Sequence, residues 1–446
     1  MDLLKKIFDA GVVGAGGAGF PTHKKFSDGL RLLLVNAAEC EPLLSSDRLV
    51  MREYAAEIIE ALVALKGEFK IPRVVIGTKK TYTREIAALK KEIESQNADI
   101  EIFTFSSFYP AGDEQIMIYE VTGETVPPGG IPPMLGIAEI NVTTALNIRH
   151  AMDGIAATRR YVTVNGAVGQ PVIVDAPVGA KLADIIAAAG GAISNPFTII
   201  KGGPMMGPQH SMEESETLVI GKADGGIVVL PEEHPLVQFS KKSIKHMVLR
   251  AKSVCIQCSY CTEMCPRYLI GHRLRPNRVM RSIAVGACET DLTDALLCCE
   301  CGICELFACP MMLSPRKINI HVKGLLREHG IKDIDKTVYE AQSEPREYRR
   351  ISQHRIINRL RLGEYPTKID EVVYLDPAEV NVPLKHGVGK PSEPLVKAGD
   401  KVEIGTPIAG VEFSDVGCMV HAPINGVVTV VDNSGITIKR GEGTGL

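Results

Sequence analysis

Two runs of closely spaced cysteines constrain this chain more than any other feature of its 446 residues. The first run consists of Cys255, Cys258, Cys261 and Cys265. The second run consists of Cys298, Cys301, Cys304 and Cys309. Each run ends in Cys-Pro, and gaps of two residues let one tight loop present three thiolates to the iron corners of a cubane. The runs therefore predict two [4Fe–4S] clusters and one-electron transfer.

Both runs resemble the bacterial ferredoxin motif, in which the fourth cysteine of one run serves the other cluster. The resemblance implies that Cys309 joins the first three cysteines of the first run, and that Cys265 joins the first three of the second. Zinc is the alternative, because CxxC pairs also bind it. Three close cysteines followed by Cys-Pro, occurring twice, favour clusters over zinc. Disulfides are disfavoured because nothing in the chain indicates a secretory context.

The composition is that of an ordinary globular protein and excludes some partners. The formal net charge is −3, aromatic residues make up 5% and tryptophan is absent, so no basic or base-stacking surface for nucleic acid is expected. No apolar run of about 18 residues occurs, which predicts no membrane span. The N-terminus lacks the long apolar core of a signal peptide. We therefore expect a cytoplasmic protein in a reducing compartment.

The first 150 residues predict an α/β domain. Apolar strand patterns at 31–36 and 73–77 alternate with helical patterns at 51–66 and 83–95. Short apolar strands that alternate with helices are typical of a parallel sheet with helices on its faces.

Three further units complete a multidomain α/β and α+β architecture. Residues 155–245 predict a small β-grasp module of the soluble-ligand-binding kind, with two strands, a helix and further strands. Residues 246–350 hold both cysteine runs on helical segments and predict a ferredoxin-like two-cluster domain with a helical connector. Residues 370–446 predict a β domain with Gly- and Asn-containing turns.

A glycine-rich run lies near the N-terminus. Gly14, Gly16 and Gly19 fit the G-x-G-x-x-G pattern of dinucleotide-binding folds, but that motif needs a preceding strand, and residues 3–10 predict a helix. A turn without a ligand is a second alternative. The preferred interpretation is a backbone cradle for a flavin phosphate or ring, since glycines permit close approach and successive N–H groups bind anions.

Four segments resemble the flavin-bearing, NADH-oxidising subunit of respiratory complex I. They are GAGGAGFPTHKKF from Gly14, NAAECEP from Asn36, YPAGDE from Tyr109 and NVTTALNI from Asn141. By this resemblance the FMN-binding residues are Gly14, Gly16, Gly17, Gly19, Lys25, Asn36 and Asn141. The resemblance also implies that Glu39 and Glu114 lie near the flavin and the nicotinamide of NADH, as catalytic candidates.

The chain departs from that family's pattern at positions that bear on NADH. Ala15 replaces an arginine, Ala38 an aspartate, Ile140 an asparagine and Asp113 a glutamate. These departures keep open a non-enzymatic alternative, an electron-relay or scaffold protein with a degenerate nucleotide site.

Over its whole length the chain resembles the C subunit of the Rnf complex and, more specifically, the cobalamin reductases of propanediol-utilisation microcompartments. The second resemblance is carried by residues 255–272 and 298–310 and by the domain order, because Rnf C subunits have the barrel-like segment before the flavin domain. It implies electron transfer from NADH through FMN and two clusters to cobalamin. Implied partners are a corrinoid-handling enzyme and microcompartment shell proteins, with a location in the cytoplasm or inside the shell. A soluble Rnf C-like electron-input module for ferredoxin is the alternative.

The C-terminal segment resembles a barrel-sandwich domain of the biotinyl and lipoyl type. Residues 395–409 and 419–428 form its two halves, and a carrier would need a lysine between them. Residues 413–418 contain none. The segment is therefore predicted to be a structural or docking domain.

Overall fold

The computed structural model describes residues 2–441 apart from 287–291, 333, 335, 338 and 340–344. Within these residues, the helices are too short or too polar to cross a bilayer.

The N-terminal domain is built on a four-stranded parallel sheet. Its strands are β1 (Leu32–Ala37), β2 (Arg73–Lys79), β3 (Glu101–Phe105) and β5 (Ile137–Asn141), and they lie in the order β3-β2-β1-β5. Its helices are α1 (Asp2–Asp9), α2 (Ser46–Glu53), α3 (Ala55–Glu68), α4 (Thr83–Ser95), α5 (Glu114–Thr122) and α6 (Val142–Met152). Separate apolar clusters cover the two faces of the sheet, which explains why its strands read as continuous apolar runs.

The single helix predicted at 51–66 corresponds to parts of two helices, α2 and α3, because the helical conformation is interrupted at Tyr54. The Tyr54 backbone leaves the helical region, and its hydroxyl forms a hydrogen bond with the hydroxyl of Tyr161 in the next domain. This contact spans 107 residues, so helical periodicity does not reveal it.

The second domain contains a mixed six-stranded sheet. Its strands are β6 (Arg159–Gly166), β7 (Val172–Pro177), β8 (Phe197–Lys201), β9 (Gln209–Ser211), β10 (Gly226–Pro231) and β12 (Val372–Tyr374), in the order β12-β7-β6-β10-β8-β9. Helices α7 (Leu182–Ala188) and α8 (Pro235–Ser240) accompany it. Strands β6 and β7 pair antiparallel. The edge strand β12 comes from the connector after the cluster domain and pairs in parallel with β7.

The cysteine-bearing region is helical. Its helices are α9 (Ile244–Val254), α10 (Tyr260–Glu263), α11 (Pro266–Leu269), α12 (Pro276–Val285) and α13 (Pro315–Glu328). Proline occupies the first turn of α11, α12 and α13, where its missing N–H costs nothing. A π-helical turn at Ile303–Ala308 carries Cys304.

The connector that follows returns to the N-terminal domain. It contains α14 (Arg346–Arg349) and α15 (Gln353–Arg359), with the short strand β11 (Ile351–Ser352) between them. Strand β11 pairs antiparallel with β4 (Phe108–Tyr109), so the connector is fixed beside α5.

The C-terminal domain consists of two antiparallel sheets around one apolar core. The first sheet contains β13 (Glu379–Pro383), β15 (Lys401–Val402), β18 (Gly426–Val431) and β19 (Gly435–Lys439), in the order β13-β19-β18-β15. The second contains β14 (Glu393–Pro394), β16 (Pro407–Gly410) and β17 (Val420–His421), in the order β14-β16-β17. The predicted multidomain fold class is confirmed.

Candidate flavin and iron–sulfur sites

The glycine loop connects α1 to a 3-10 turn at Thr22–Lys24 and does not follow a strand. A single bridge between Val13 and Pro21 and a hydrogen bond from Gly14 N to Phe20 O (2.8 Å) close its base. The geometry differs from a Rossmann motif, in which a strand enters the glycine turn.

The crest of the glycine loop, at Gly17, is open, whereas its base, at Ala15, is held by hydrogen bonds. Gly17 has φ +115°, and no protein atom lies within 4 Å of the position that a Cβ would occupy there. At the base, Ala15 N donates to Thr144 Oγ1 (2.9 Å), and the buried Arg160 guanidinium donates to Ala15 O (2.8 Å). A loop that is fixed below and open above suits a flavin phosphate or ring, because backbone atoms can approach it closely.

The ends of β1 and β5 meet beside this loop, at the carboxyl edge where parallel sheets bind ligands. A Cβ on Gly16 would lie 3.5 Å from the Asn141 Cβ. Asn141 caps α6 by accepting from Thr143 N (2.8 Å), and its amide donates to Asp47 (2.7 Å). The Asn36 amide donates to Gly112 O (2.9 Å). The structure therefore brings the predicted FMN-binding residues Gly16 and Asn141 together.

Lys25 and Glu114 belong to one charged group on this edge. The Lys25 ammonium donates to the carbonyl oxygen of Glu139 (2.7 Å), and its nitrogen lies 3.6 Å from the Glu139 carboxylate. Burial, together with the negative charge of Glu139, raises the pKa of Glu114 to about 7.

Glu39 lies in a second group of charged residues, with Asp47 and Lys79, and sequence patterns did not reveal this group. Burial and the neighbouring Asp47 raise the pKa of Glu39 to about 8. The fully buried Lys79 donates from its ammonium to the Glu39 carbonyl oxygen, and burial lowers the pKa of that lysine. The raised pKa favours the neutral form of Glu39 and so lessens the negative charge at the edge of the sheet.

The eight cysteines line two separate cavities. The inner cavity is lined by Cys265, Cys298, Cys301 and Cys304. The outer cavity is lined by Cys255, Cys258, Cys261 and Cys309. The fourth cysteine of each run thus lies with the other run, as the ferredoxin-like pairing requires.

The loops that carry these thiolates have strained backbones and donate to sulfur. Gln257, Ser259 and Glu300 adopt left-handed φ values of 54°, 63° and 62°, which is uncommon for residues other than glycine and is concentrated at functional sites. Glu300 N lies 3.4 Å from the Cys298 sulfur, and Leu313 N lies 3.3 Å from the Cys309 sulfur. Such N–H donors to sulfur adjust the potential of a bound cluster.

Arg267 joins the inner cavity to the flavin domain. Its guanidinium donates to the carboxylate of Asp113 (2.8 Å), and it also bonds to the sulfur of Cys299, which lines the inner cavity. Nearby, the Tyr109 hydroxyl donates to Cys301 O (2.8 Å). In the sequence, only the position of Arg267 directly after Cys-Pro marked it as a candidate. No local pattern identified Asp113 as its partner.

Comparisons with known proteins match the described domains. Residues 7–150 match the Nuo51 FMN-binding domain and residues 254–314 a 4Fe-4S dicluster domain. Residues 161–209 match the SLBB domain and residues 366–443 the RnfC barrel sandwich hybrid domain. The NAD⁺-reducing [NiFe]-hydrogenase in its H₂-reduced state superposes with a TM-score of 0.50 at 20% identity, over 74% of this chain and 62% of that chain, which shows the fold alone.

Curated relatives extend over nearly the whole chain. Cobalamin reductase PduS of Salmonella typhimurium is 36% identical over 99% of this chain and 97% of its own length. The protein of the same name from Citrobacter freundii is 36% identical over 98% and 96%. The C component of the Na⁺-translocating ferredoxin:NAD⁺ oxidoreductase complex of Acetobacterium woodii is 32% identical over 60% of this chain and 58% of its own. The chain therefore belongs to the cobalamin reductase family and unites an FMN-binding domain with a [4Fe–4S] dicluster domain in one polypeptide.

Proposed function

We propose that this protein is an NADH-dependent oxidoreductase that delivers single electrons to cobalamin. When bound, FMN accepts two electrons as a hydride and releases them one at a time, and each [4Fe–4S] cluster carries one electron. The work of the chain is to bind and orient these groups and to set their electrostatic surroundings.

One observation carries the proposal: a glycine loop open to a flavin and two four-cysteine cavities lie in one chain, joined through buried contacts. The inner cavity touches the flavin domain through the Asp113–Arg267 ion pair and the Tyr109 hydroxyl. The outer cavity lies towards solvent, where Cys255 and Cys258 are half-buried and Ile256 is 62% exposed. The cysteine sets thus extend from the flavin domain to the protein surface.

Two features support NADH as the donor despite the replaced residues. Burial raises the pKa of Glu39, which favours its neutral form and lessens repulsion of the phosphates of a dinucleotide. Ala15 replaces the arginine of the complex I family, but Arg160 brings a guanidinium to the backbone of Ala15 from the second domain. A cation thus remains beside the loop.

Cobalamin, or an enzyme that handles corrinoids, is the acceptor that full-length kinship with proteins named cobalamin reductase favours. The same kinship supports a cytoplasmic location, either free or inside a microcompartment, and in the second case shell proteins are further partners. The proposed ligands are the four cysteines of each cavity for the clusters and the loop glycines with Lys25, Asn36 and Asn141 for FMN.

An anaerobic assay of the purified holoprotein tests this function. We expect NADH to bleach the flavin absorbance and then to drive the loss of cob(II)alamin. A matched Cys301→Ala protein should still show flavin bleaching but slower corrinoid reduction, because the inner set has lost a thiolate. NADH oxidation coupled to ferredoxin, without corrinoid turnover, would favour the Rnf C-like electron-input module. Failure of NADH to react at all would favour the relay or scaffold protein.

A further inference from the structure

The C-terminal barrel touches the outer side of the glycine loop. Val388 N donates to Ala18 O (3.1 Å). A Cβ on Gly387 would lie 2.3 Å from Ala18 O and 2.6 Å from Gly19 Cα, and a Cβ on Gly19 would lie 2.5 Å from His386 O. Real side chains do not approach backbone atoms this closely, so the two segments fit together only because glycine stands on both sides.

A second contact fixes the turn that leaves the loop. The Lys24 ammonium donates to the carbonyl oxygens of Phe413 and Ser414 (2.9 Å each). The Phe413 ring contacts the ring of buried His23 (centroids 5.3 Å apart) and the ring of Phe8 in α1 (5.2 Å). The barrel therefore holds the chain on both sides of the glycine run.

Lys222, in the second domain, joins the same interface. Its buried ammonium donates to Gly11 O (2.7 Å), at the end of α1, and to Met419 O (2.8 Å), in the barrel. Gly11 also touches the barrel directly, since a Cβ there would lie 2.2 Å from Met419 O. Burial lowers the pKa of Lys222, and the two carbonyl oxygens accept hydrogen bonds that compensate for its desolvation.

These contacts contrast with the crest of the loop. Gly16, Gly17 and Ala18 are exposed, and Gly17 has no protein neighbour above it, whereas Gly19 is buried against the barrel. We propose that the barrel is part of the flavin site: His386, Gly387 and Val388 fix the loop in its binding conformation from outside. The barrel thus has a task that needs no carrier lysine. The inference rests on the FMN binding in the proposed function.

The residues involved act by position, because they contact the loop at Ala18 O and Gly19 and leave the space above Gly17 open. A misplacement of about 1 Å in a positioning element is enough to slow a catalysed reaction about a hundredfold, so elements of this kind tolerate little displacement. A preorganised loop also lowers the entropy lost when the ligand binds.

A pair of glycine variants within the barrel tests the proposal. Gly387→Ala places a Cβ against Ala18 O at a residue with φ +88°. Gly405→Ala is the matched control, because its φ is +89° but no atom lies within 4 Å of the new Cβ. Both variants carry the same backbone strain, and only the first displaces the loop. A third variant, Phe413→Ala, removes the ring contact without straining any backbone.

The measurement is the FMN dissociation constant of the full chain, with clusters intact, from the quenching of FMN fluorescence. We expect Gly387→Ala to raise it roughly tenfold or more, Phe413→Ala less, and Gly405→Ala not at all. Iron content and the thermal midpoint of each variant report whether it has folded.

Two results would overturn the proposal, and a third would refute the function on which it rests. Gly387→Ala and Phe413→Ala could both bind FMN as tightly as the wild type, in which case the barrel does not position the loop. Gly405→Ala could weaken FMN as much as Gly387→Ala, which would indicate general destabilisation of the barrel. A wild-type chain that binds no FMN would instead refute the flavin part of the proposed function, so the two failures are distinguishable.

Discussion

Replacing the fourth cysteine of each run distinguishes crossed from sequential cluster ligation. Cys265 lies in the inner cavity and Cys309 in the outer one, although each belongs by sequence to the other run. Two [4Fe–4S] clusters contain about eight iron atoms per chain, so a single Cys→Ala change at any of the eight expected ligands should leave about four. Iron content alone therefore does not separate the two schemes, and the identity of the surviving cluster must be measured.

The two cavities differ in solvent exposure, and this difference identifies which cluster remains in a variant. Cys265, Cys301 and Cys304 in the inner cavity are only 7–8% exposed, whereas Cys255 and Cys258 in the outer cavity are half-buried. An iron chelator should therefore reach an outer cluster faster than an inner one. Variants that retain only the outer cluster should lose their remaining iron quickly, and variants that retain only the inner cluster should lose it slowly.

Crossed ligation predicts which Cys→Ala variants should release their remaining iron at similar rates. Cys265→Ala should behave like Cys301→Ala, with fast release of the remaining iron, because both disrupt the inner set. Cys309→Ala should behave like Cys258→Ala, with slow release. Anaerobic iron and sulfide analysis, followed by chelation kinetics, gives the readout. If Cys265→Ala instead matched Cys258→Ala, the clusters would follow the sequence runs and the cavity assignment would be wrong.

Cys299 supplies the control for this series. It lines the inner cavity beside the expected ligands, but its sulfur bonds to Arg267 and Cys301. We expect Cys299→Ser to keep about eight iron atoms, because the inner set still has four thiolates. Loss of half the iron in this variant would show that Cys299, and not one of its neighbours, is a ligand.

Three further predictions concern the flavin domain and its contact with the clusters. Gly17→Val should abolish FMN binding, since its side chain would project into the open space above the loop, whereas Gly29→Val, also at positive φ in open space, should bind FMN normally; flavin fluorescence titration compares them. The pKa of Glu39 is raised in the folded state, so the stability that protonated Glu39 contributes is complete at low pH and is lost as the pH rises through about 8. The thermal midpoint of unfolding should therefore fall as the pH rises to about 8, and it should fall less steeply in Glu39→Gln. Arg267→Met leaves the largely buried Asp113 carboxylate without its partner and should cost ~3–5 kcal/mol, which calorimetry and a double-mutant cycle with Asp113→Asn would measure.

Local patterns identified the elements of this fold where local physics decides them. The apolar runs at 31–36 and 73–77 correspond to strands buried on both faces, and the helix predicted at 83–95 is present with those bounds. The spacing of the cysteines specified their chemistry, because the geometry of a cubane fixes the gaps in the sequence.

Other features depend on contacts between distant residues, and no local pattern encodes them. Strand β12 completes a sheet whose other members lie about 140 residues earlier or more, at a place where the sequence shows only a short apolar run. The sequence pattern places Lys79 at the polar end of a strand, where exposure is expected. In the structure it is fully buried, and its ammonium donates to the Glu39 carbonyl oxygen. The guanidinium of Arg160, from the second domain, donates a hydrogen bond to the carbonyl oxygen of Ala15.

The glycine loop shows most clearly why its surroundings could not be predicted. Its neighbours come from widely separated places in the sequence: Thr144 and Arg160 below, and His386, Gly387 and Val388 outside. Contacts of this kind depend on where domains dock and not on their order along the chain. Two glycines that face each other across the interface are then the features of sequence on which such docking depends, because any Cβ at either position would separate the surfaces.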